Sequence, residues 1–156
     1  MFGFFSNKKI EIFSPAEGKI IDITAVEDAV FSAKMLGDGF AVEPTADFLL
    51  APCDGQVCMI AETGHAIALE KDGVEILLHV GIDTVDLKGQ GFEVLVREGE
   101  RVARGMKLLR FDRKFICEQG KKATTMLVLT NGEEKLKKIE KNLTSGEHPV
   151  LQAGIK

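Results

Sequence analysis

No apolar stretch in this chain runs far before a glycine, proline or aspartate interrupts it, and that punctuation most restricts what it can fold into. Sixteen glycines are spread through 156 residues. Gly37-Asp38-Gly39, Lys71-Asp72-Gly73 and Gly89-Gln90-Gly91 have the composition of tight turns. Between such breaks lie short segments rich in β-branched and aliphatic residues: IEIFSP, GKIIDIT, GFAVEP, DFLLAP, GQVCMIA, HAIALE, VEILLHVG, FEVLV, KLLRFD, TMLVLT and PVLQAG. Many short strands at close spacing predict an all-β chain, an antiparallel β-sandwich or barrel-sandwich hybrid with a few short helices. With 45% hydrophobic residues there is enough apolar material for one core. Residues 10–156 read as a single domain preceded by a tail, residues 1–9.

Two segments resemble each other. SPAEGKIIDI begins at Ser14 and APCDGQVCMI at Ala51, each running proline, acid, glycine, strand. The match hints at internal quasi-symmetry built on two β-corners. Near the end, NGEEKLKKIEKNL predicts a helix: Asn131 stands at a capping position with Glu134 three residues on. Leu136, Ile139 and Leu143 would form its apolar stripe. RKFICEQG predicts one further short helix.

Composition narrows the partners. A net charge of −4 argues against nucleic acid. No apolar stretch is long enough to span a bilayer. In MFGFFSNKK the lysines follow the apolar residues, unlike a secretory signal; a membrane-surface contact through Phe2, Phe4 and Phe5 is the weaker alternative to a solvated tail. Cys53, Cys58 and Cys117 are odd in number and lack CxxC spacing, which indicates free thiols, small buried hydrophobes and a cytoplasmic location.

The chemistry concentrates in GVEILLHVGIDT, residues 73–84, where one histidine interrupts a run of aliphatics. His65 lies seven residues before Asp72 and His79 seven after it, so a hairpin turning at Lys71-Asp72-Gly73 brings the two imidazoles opposite or nearly opposite each other. Thr63 falls on the His65 face, and Gly81 and Asp83 on the His79 face. Gly81 would leave room beside the ring, while Leu78, Val80 and Ile82 point into the core. His148, beside Pro149, reads as a surface loop residue.

Two facing histidines suit either of two chemistries. Zinc accepts imidazole, but no third ligand has suitable spacing, so a zinc site at His65 and His79 would need a partner's ligand. Alternatively His79 is a nucleophile that carries a phosphoryl group on one ring nitrogen while the other is fixed by a hydrogen bond. His65 would then donate to the phosphoryl oxygens, with Thr63 fixing its ring. Two histidines that merely finish strand ends are the structural alternative, at even odds from spacing alone. No phosphate-binding GxxxxGK[ST] loop is present, which excludes ATP binding of that kind.

GVEILLHVGIDTV resembles the active-site signature of the glucose-type IIA components of the bacterial phosphoenolpyruvate-dependent sugar phosphotransferase system. Gly73, Ile76, Leu77, Leu78, His79, Val80, Gly81, Ile82, Thr84 and Val85 fill each of its required positions. The similarity extends through SPAEGKI, DAVFSAKMLGDGFAVEP, APCDGQV, ETGHAIAL, DLKGQGFEVLVREGERVARGMKLLRFD and HPVL, about residues 10 to 155. Gly64 departs from it, standing where such proteins carry Asn or another polar residue.

The resemblance implies an antiparallel β-sandwich and a transient covalent phosphoryl group on His79, with no other cofactor. His79 would receive that group from the histidine-containing phosphocarrier protein and pass it to a cysteine on the IIB domain of a membrane sugar permease. It implies that His65 stabilises the phosphorylated ring, and that Thr63 bonds His65. Asp28 and Asp83 would meet partner arginines; Val30, Phe31 and Met35 would form part of an apolar docking rim, with Gly81 and Val85 in the same partner-facing set. Val30, Phe31 and Met35 read equally well as core. The protein would be a monomer, and regulated target proteins could use the same face. The start at Met1 favours a free protein over an excised permease domain. A biotinyl or lipoyl carrier, with Lys34 in SAKML as the modified residue, is the alternative from a different class, but it gives the histidines no role.

Overall fold

The computed structural model describes residues 8–156, so Phe2, Phe4 and Phe5 of the tail lie outside the described residues. The chain runs through β1 (Lys9–Ile12), β2 (Gly18–Asp22), α1 (Ala29–Ser32), β3 (Asp38–Pro44), β4 (Phe48–Leu50), β5 (Gly55–Ile60), β6 (Ala66–Lys71), β7 (Val74–Ile82), β8 (Phe92–Val94), β9 (Arg101–Val102), β10 (Lys107–Phe111), α2 (Arg113–Glu118), β11 (Lys122–Leu129), α3 (Gly132–Lys135), β12 (Leu136–Lys141) and β13 (Leu151–Ile155). A seven-stranded sheet of order β2-β3-β11-β7-β6-β5-β9 is accompanied by two three-stranded sheets, β1-β13-β12 and β4-β10-β8. The paired strands are antiparallel. This is the antiparallel all-β architecture expected, with the predicted short helix realised as α2.

Alternation along β7 sets the layers. Val74, Ile76, Leu78 and Val80 are completely buried in the main core. Leu77 and His79 point to the opposite face, as period-two geometry requires. That face carries a second, smaller cluster made by Ile23, Val26, Phe31, Ala41, Met126 and Val128, with Ile21, Leu77 and Ile82 packed against it. The segment from Ile23 through α1 therefore roofs part of the sheet beside His79.

The quasi-repeat is expressed in space. Phe13 N–H donates to the Pro52 carbonyl at 2.8 Å, and Leu50 N–H donates to the Pro15 carbonyl at 2.7 Å. Phe13 and Pro15 hold the same places in the first copy as Leu50 and Pro52 in the second. Each corner thus completes the other through a reciprocal bond pair.

The C-terminal helix expectation fails. Only one turn, α3, forms, and Leu136–Lys141 continues as strand β12, pairing with β13. Asn131 makes no side-chain cap. Its Oδ1 accepts from Glu75 N–H at 2.8 Å, and its Nδ2 donates to the Gly73 carbonyl at 2.9 Å. The residue ties the end of β11 to the β6–β7 hairpin instead. Leu136 and Ile139 meet the main core from an edge strand, so tertiary pairing overrides a helical pattern worth only tenths of a kcal/mol per residue.

β12 is also fastened by charge. Lys141 Nζ donates to Asp22 Oδ1 and to Asp38 Oδ1, both at 2.7 Å, linking β12 to β2 and β3. Burial alone would raise the Asp22 carboxyl. The hydrogen bonds from Lys141 and from the Thr24 hydroxyl and amide outweigh it and hold the group down at about 2.

Candidate functional site

A row of side chains crosses the large sheet on the His79 face. Register places Ile21 against Ala41, Ala41 against Met126, Met126 against His79 and His79 against Ala66. Met126 is fully buried beside the imidazole, and Ala66 on the other side is small. The histidine is thus flanked by one packing residue and one gap.

His65 turns into that gap. The hairpin pairs Lys71 with Val74, so its centre falls between Asp72 and Gly73, not on Asp72. Both turn residues have positive φ (50° and 85°), the two-residue primed turn that suits strand twist. The strict cross-strand partner of His79 is consequently Ala66, and His65 lies opposite Val80, whose N–H donates to the His65 carbonyl at 2.8 Å. The two imidazoles still meet, diagonally, because His65 lies in the turn that leads from Gly64 into β6, just before the strand begins. Their centroids are 4.8 Å apart with planes 82° apart. Gly64 has φ +74°, a left-handed value that asparagine also tolerates, so the departure from the signature keeps the turn.

Thr63 Oγ1 lies 2.6 Å from His65 Nδ1, as the spacing predicted. His79 Nδ1 lies 3.0 Å from the Gly81 carbonyl oxygen. A carbonyl only accepts, so His79 carries its proton on Nδ1 and keeps the lone pair on Nε2. Burial, followed by the neighbouring His65, pushes the His79 pKa from 6.5 down to about 4, against the pull of the Gly81 carbonyl, Asp28 and Asp83. Burial also lowers His65. Both rings are therefore neutral at pH 7, and His79 presents an unprotonated nitrogen.

The rings form a line of four. Phe31 lies 5.1 Å from His79, and Phe92 lies 6.5 Å from His65 on the far side. Nothing local in the sequence marks Phe92: it follows a Gly-rich turn, and only the fold brings β8 beside His65. Phe31, expected in a docking rim, is instead buried at 6% exposure and packs the second cluster. Val30 (42% exposed), Met35 (70%) and Val85 (51%) do face outward. Asp28 caps α1, its Oδ1 accepting from Val30 N–H at 2.9 Å. Asp83 is exposed in a left-handed conformation at the end of β7.

Gly81 does not open space beside the ring. A Cβ built there would overlap Thr84 Cγ2 and lie 3.0 Å from the Lys122 carbonyl oxygen, and φ is +87°. Its contribution is the backbone path that aims its carbonyl at His79.

The other sequence candidates lie elsewhere. Cys53 is buried, its thiol pushed up to about 11 chiefly by that burial. Cys58 and Cys117 are exposed, contrary to the buried-hydrophobe expectation. His148 sits in the loop before β13, bonded to the Pro149 carbonyl. Lys34 follows α1, 3.6 Å from Asp38, and not at the tip of a hairpin. Among the described residues no cluster of three or more His, Cys, Asp or Glu could hold a metal ion, and no helix is long and apolar enough to cross a membrane.

A sandwich that presents a neutral, oriented imidazole beside a second fixed one has the chemistry of one class in particular, a phosphoryl carrier. The relatives narrow it. The family described as phosphoenolpyruvate-dependent sugar phosphotransferase system, EIIA 1, matches residues 10–135. The glucose-specific EIIA component of Haemophilus influenzae is 40% identical over 156 residues, covering 97% of this chain and 94% of that protein. That of Buchnera aphidicola is 40% identical over 151 residues, 95% of this chain and 94% of the other. A glucoside-specific EIICBA component of Staphylococcus carnosus is 46% identical over 121 residues, and the chain spans only 18% of its length. The solved glucose permease IIA from Mycoplasma capricolum superposes with TM-score 0.83 at 36% identity, covering 95% of this chain and 97% of that one. The chain belongs to the glucose-type IIA family of the sugar phosphotransferase system.

Proposed function

We propose that His79 Nε2 is the atom that carries the phosphoryl group. Its lone pair attacks the phosphorus of a phosphohistidine on the phosphocarrier protein; a P–N bond forms to His79 as the donor's P–N bond breaks, and the donor histidine keeps that electron pair. In the second step a cysteine thiolate of a permease IIB domain attacks the same phosphorus and His79 Nε2 leaves. Through both steps Nδ1–H stays on the Gly81 carbonyl, so the ring neither rotates nor changes tautomer. If the Thr63 hydroxyl donates to His65 Nδ1, His65 holds its proton on Nε2, where it can donate to a phosphoryl oxygen.

The observation that carries this reading is the 3.0 Å contact between His79 Nδ1 and the Gly81 carbonyl, which leaves Nε2 unprotonated at neutral pH. Chemistry between two histidines is nearly balanced in energy, so positioning and exclusion of water are what the protein supplies. Val30, Met35 and Val85 form an apolar rim that a covering partner would dry, and Asp28 and Asp83 offer negative charge to partner arginines. Any zinc at His65 and His79 would need further ligands from such a partner. Target proteins regulated through this face would compete for the same rim.

The test is intact mass after incubation with phosphoenolpyruvate, enzyme I and the phosphocarrier protein, with and without brief acid treatment. One acid-labile phosphoryl group, absent in His79→Ala, is the expected result. Normal phosphorylation of His79→Ala would reject the assignment.

A further inference from the structure

We infer that Thr84 is the positioning residue that fixes the tautomer of His79. This deepens the reading above and rests on it for its functional consequence, though not for its structural one.

Thr84 is a hydroxyl with no exposure at all, just beyond the end of β7. Its Oγ1 donates to the Val80 carbonyl at 2.5 Å, reaching back four residues. That bond spans Gly81, Ile82 and Asp83, the segment in which the chain leaves the sheet. Two of these residues are in left-handed conformations, Gly81 at φ +87° and Asp83 at +58°. A segment with two such dihedrals in three residues has few local reasons to hold one shape. The Thr84 hydroxyl closes it from inside, and the Thr84 methyl fills the space where a Cβ on residue 81 would stand. One side chain therefore does two things: it bonds the carbonyl of Val80 on one side of Gly81, and its methyl occupies the place a Gly81 side chain would take.

The bonded peptide, Val80–Gly81, shares the Gly81 Cα with the next one, Gly81–Ile82, whose carbonyl receives His79 Nδ1–H. Its direction decides which ring nitrogen holds the proton. An imidazole with Nδ1 unbonded has no such preference here and would place some of its protons on Nε2, where they block attack on phosphorus. The Thr84 hydroxyl is spent on the Val80 carbonyl and not on the His79 ring or a transferred group. It acts through the Val80–Gly81 backbone, and so positions without being catalytic.

Substitutions at residue 84 separate the two contributions. Thr84→Ser keeps the hydroxyl and drops the methyl; Thr84→Val keeps the shape and drops the bond. Nitrogen-15 shifts of the His79 imidazole report the tautomer directly, independent of any phosphotransfer. In the unaltered protein and in Thr84→Ser we expect the Nδ1–H form alone. In Thr84→Val we expect a mixture with Nε2–H and a slowing of phosphoryl acceptance by about tenfold, the worth of one ordinary hydrogen bond. Should Thr84→Val fail to fold, Thr84→Ala removes the same bond without leaving new bulk, and the same shifts are expected of it.

Wild-type tautomer shifts and acceptance rate in a folded variant lacking the hydroxyl would overturn the inference. If the unaltered protein accepts no phosphoryl group while the tautomer still moves in Thr84→Val, the phosphoryl reading falls and the positioning role stands.

Discussion

His79 and Gly81 are two residues apart on one strand, and the imidazole of the first donates its Nδ1 proton to the carbonyl of the second at 3.0 Å. A regular strand could not make this bond. Residues i and i+2 point the same way, but the intervening carbonyls lie in the sheet. The bond exists because φ of +87° at Gly81 turns its peptide out of the ladder toward the ring.

Replacing Gly81 with alanine should therefore be costly in two ways. The new Cβ would overlap the Thr84 methyl and occupy a left-handed conformation. We expect a loss of roughly 2–4 kcal/mol in a denaturant melt, from strain plus overpacking. The His79 imidazole should lose its single-tautomer signature in the same variant. A Gly81→Ala protein as stable as the parent would remove the backbone account.

The two histidines should separate in kinetics. His79→Gln, which removes the nucleophile, should accept no phosphoryl group. His65→Gln should still accept one from the phosphocarrier protein but release it to a IIB domain at least tenfold more slowly, because the ring that steadies the transferred group is gone. Rapid-quench assays of the two half-reactions distinguish these effects. Equal loss in both halves for His65→Gln would place that residue in general structure instead.

His79 also predicts a pH dependence of stability. Its folded pKa, about 4, lies below the ordinary 6.5. Between those values the unfolded chain binds a proton that the folded one does not, so folding is opposed there. Stability is fully present above about pH 6.5 and falls as pH drops toward 4, by roughly 1–3 kcal/mol. Urea melts at pH 7 and pH 4.5 should show this, and His79→Gln should flatten the difference. An unchanged slope in that variant would mean other groups carry it.

The Lys141 cluster acts lower on the scale. Asp22 is held at about 2 against an ordinary 3.8, so its stabilisation is present above 3.8 and lost as pH falls through 2. Lys141→Met should weaken the attachment of β12 by roughly 1–3 kcal/mol, leaving two neighbouring carboxylates without their cation. Amide exchange should accelerate in Leu136–Lys141 and Leu151–Ile155 before it does in β7. Uniform acceleration through the whole sheet would contradict a local fastening role.

Much of the fold was legible because the signal is local. Alternation in VEILLHVGI and the primed turn at Asp72-Gly73 need only neighbouring residues to act. The two histidines, Thr63 and the side of β7 that faces the core all followed from spacing. The hairpin centre lies half a residue beyond Asp72, so of the opposite or nearly opposite placements that spacing allowed the rings take the diagonal one.

What the sequence alone determined is thus the inventory and the periodicity: short antiparallel strands, a histidine on a rigid one, and a signature whose positions are filled. Tertiary structure decided everything that depends on residues distant in the chain. It made a strand of Leu136–Lys141, because edge pairing with β13 and the bonds of Lys141 to Asp22 and Asp38 outweigh a weak helical preference. It buried Phe31 against His79 and brought Phe92 to His65. It also assigned Gly81 a backbone role that residue type cannot announce. A hydrogen bond to a carbonyl depends on a dihedral angle, and that angle is set by what packs on the other side of the peptide.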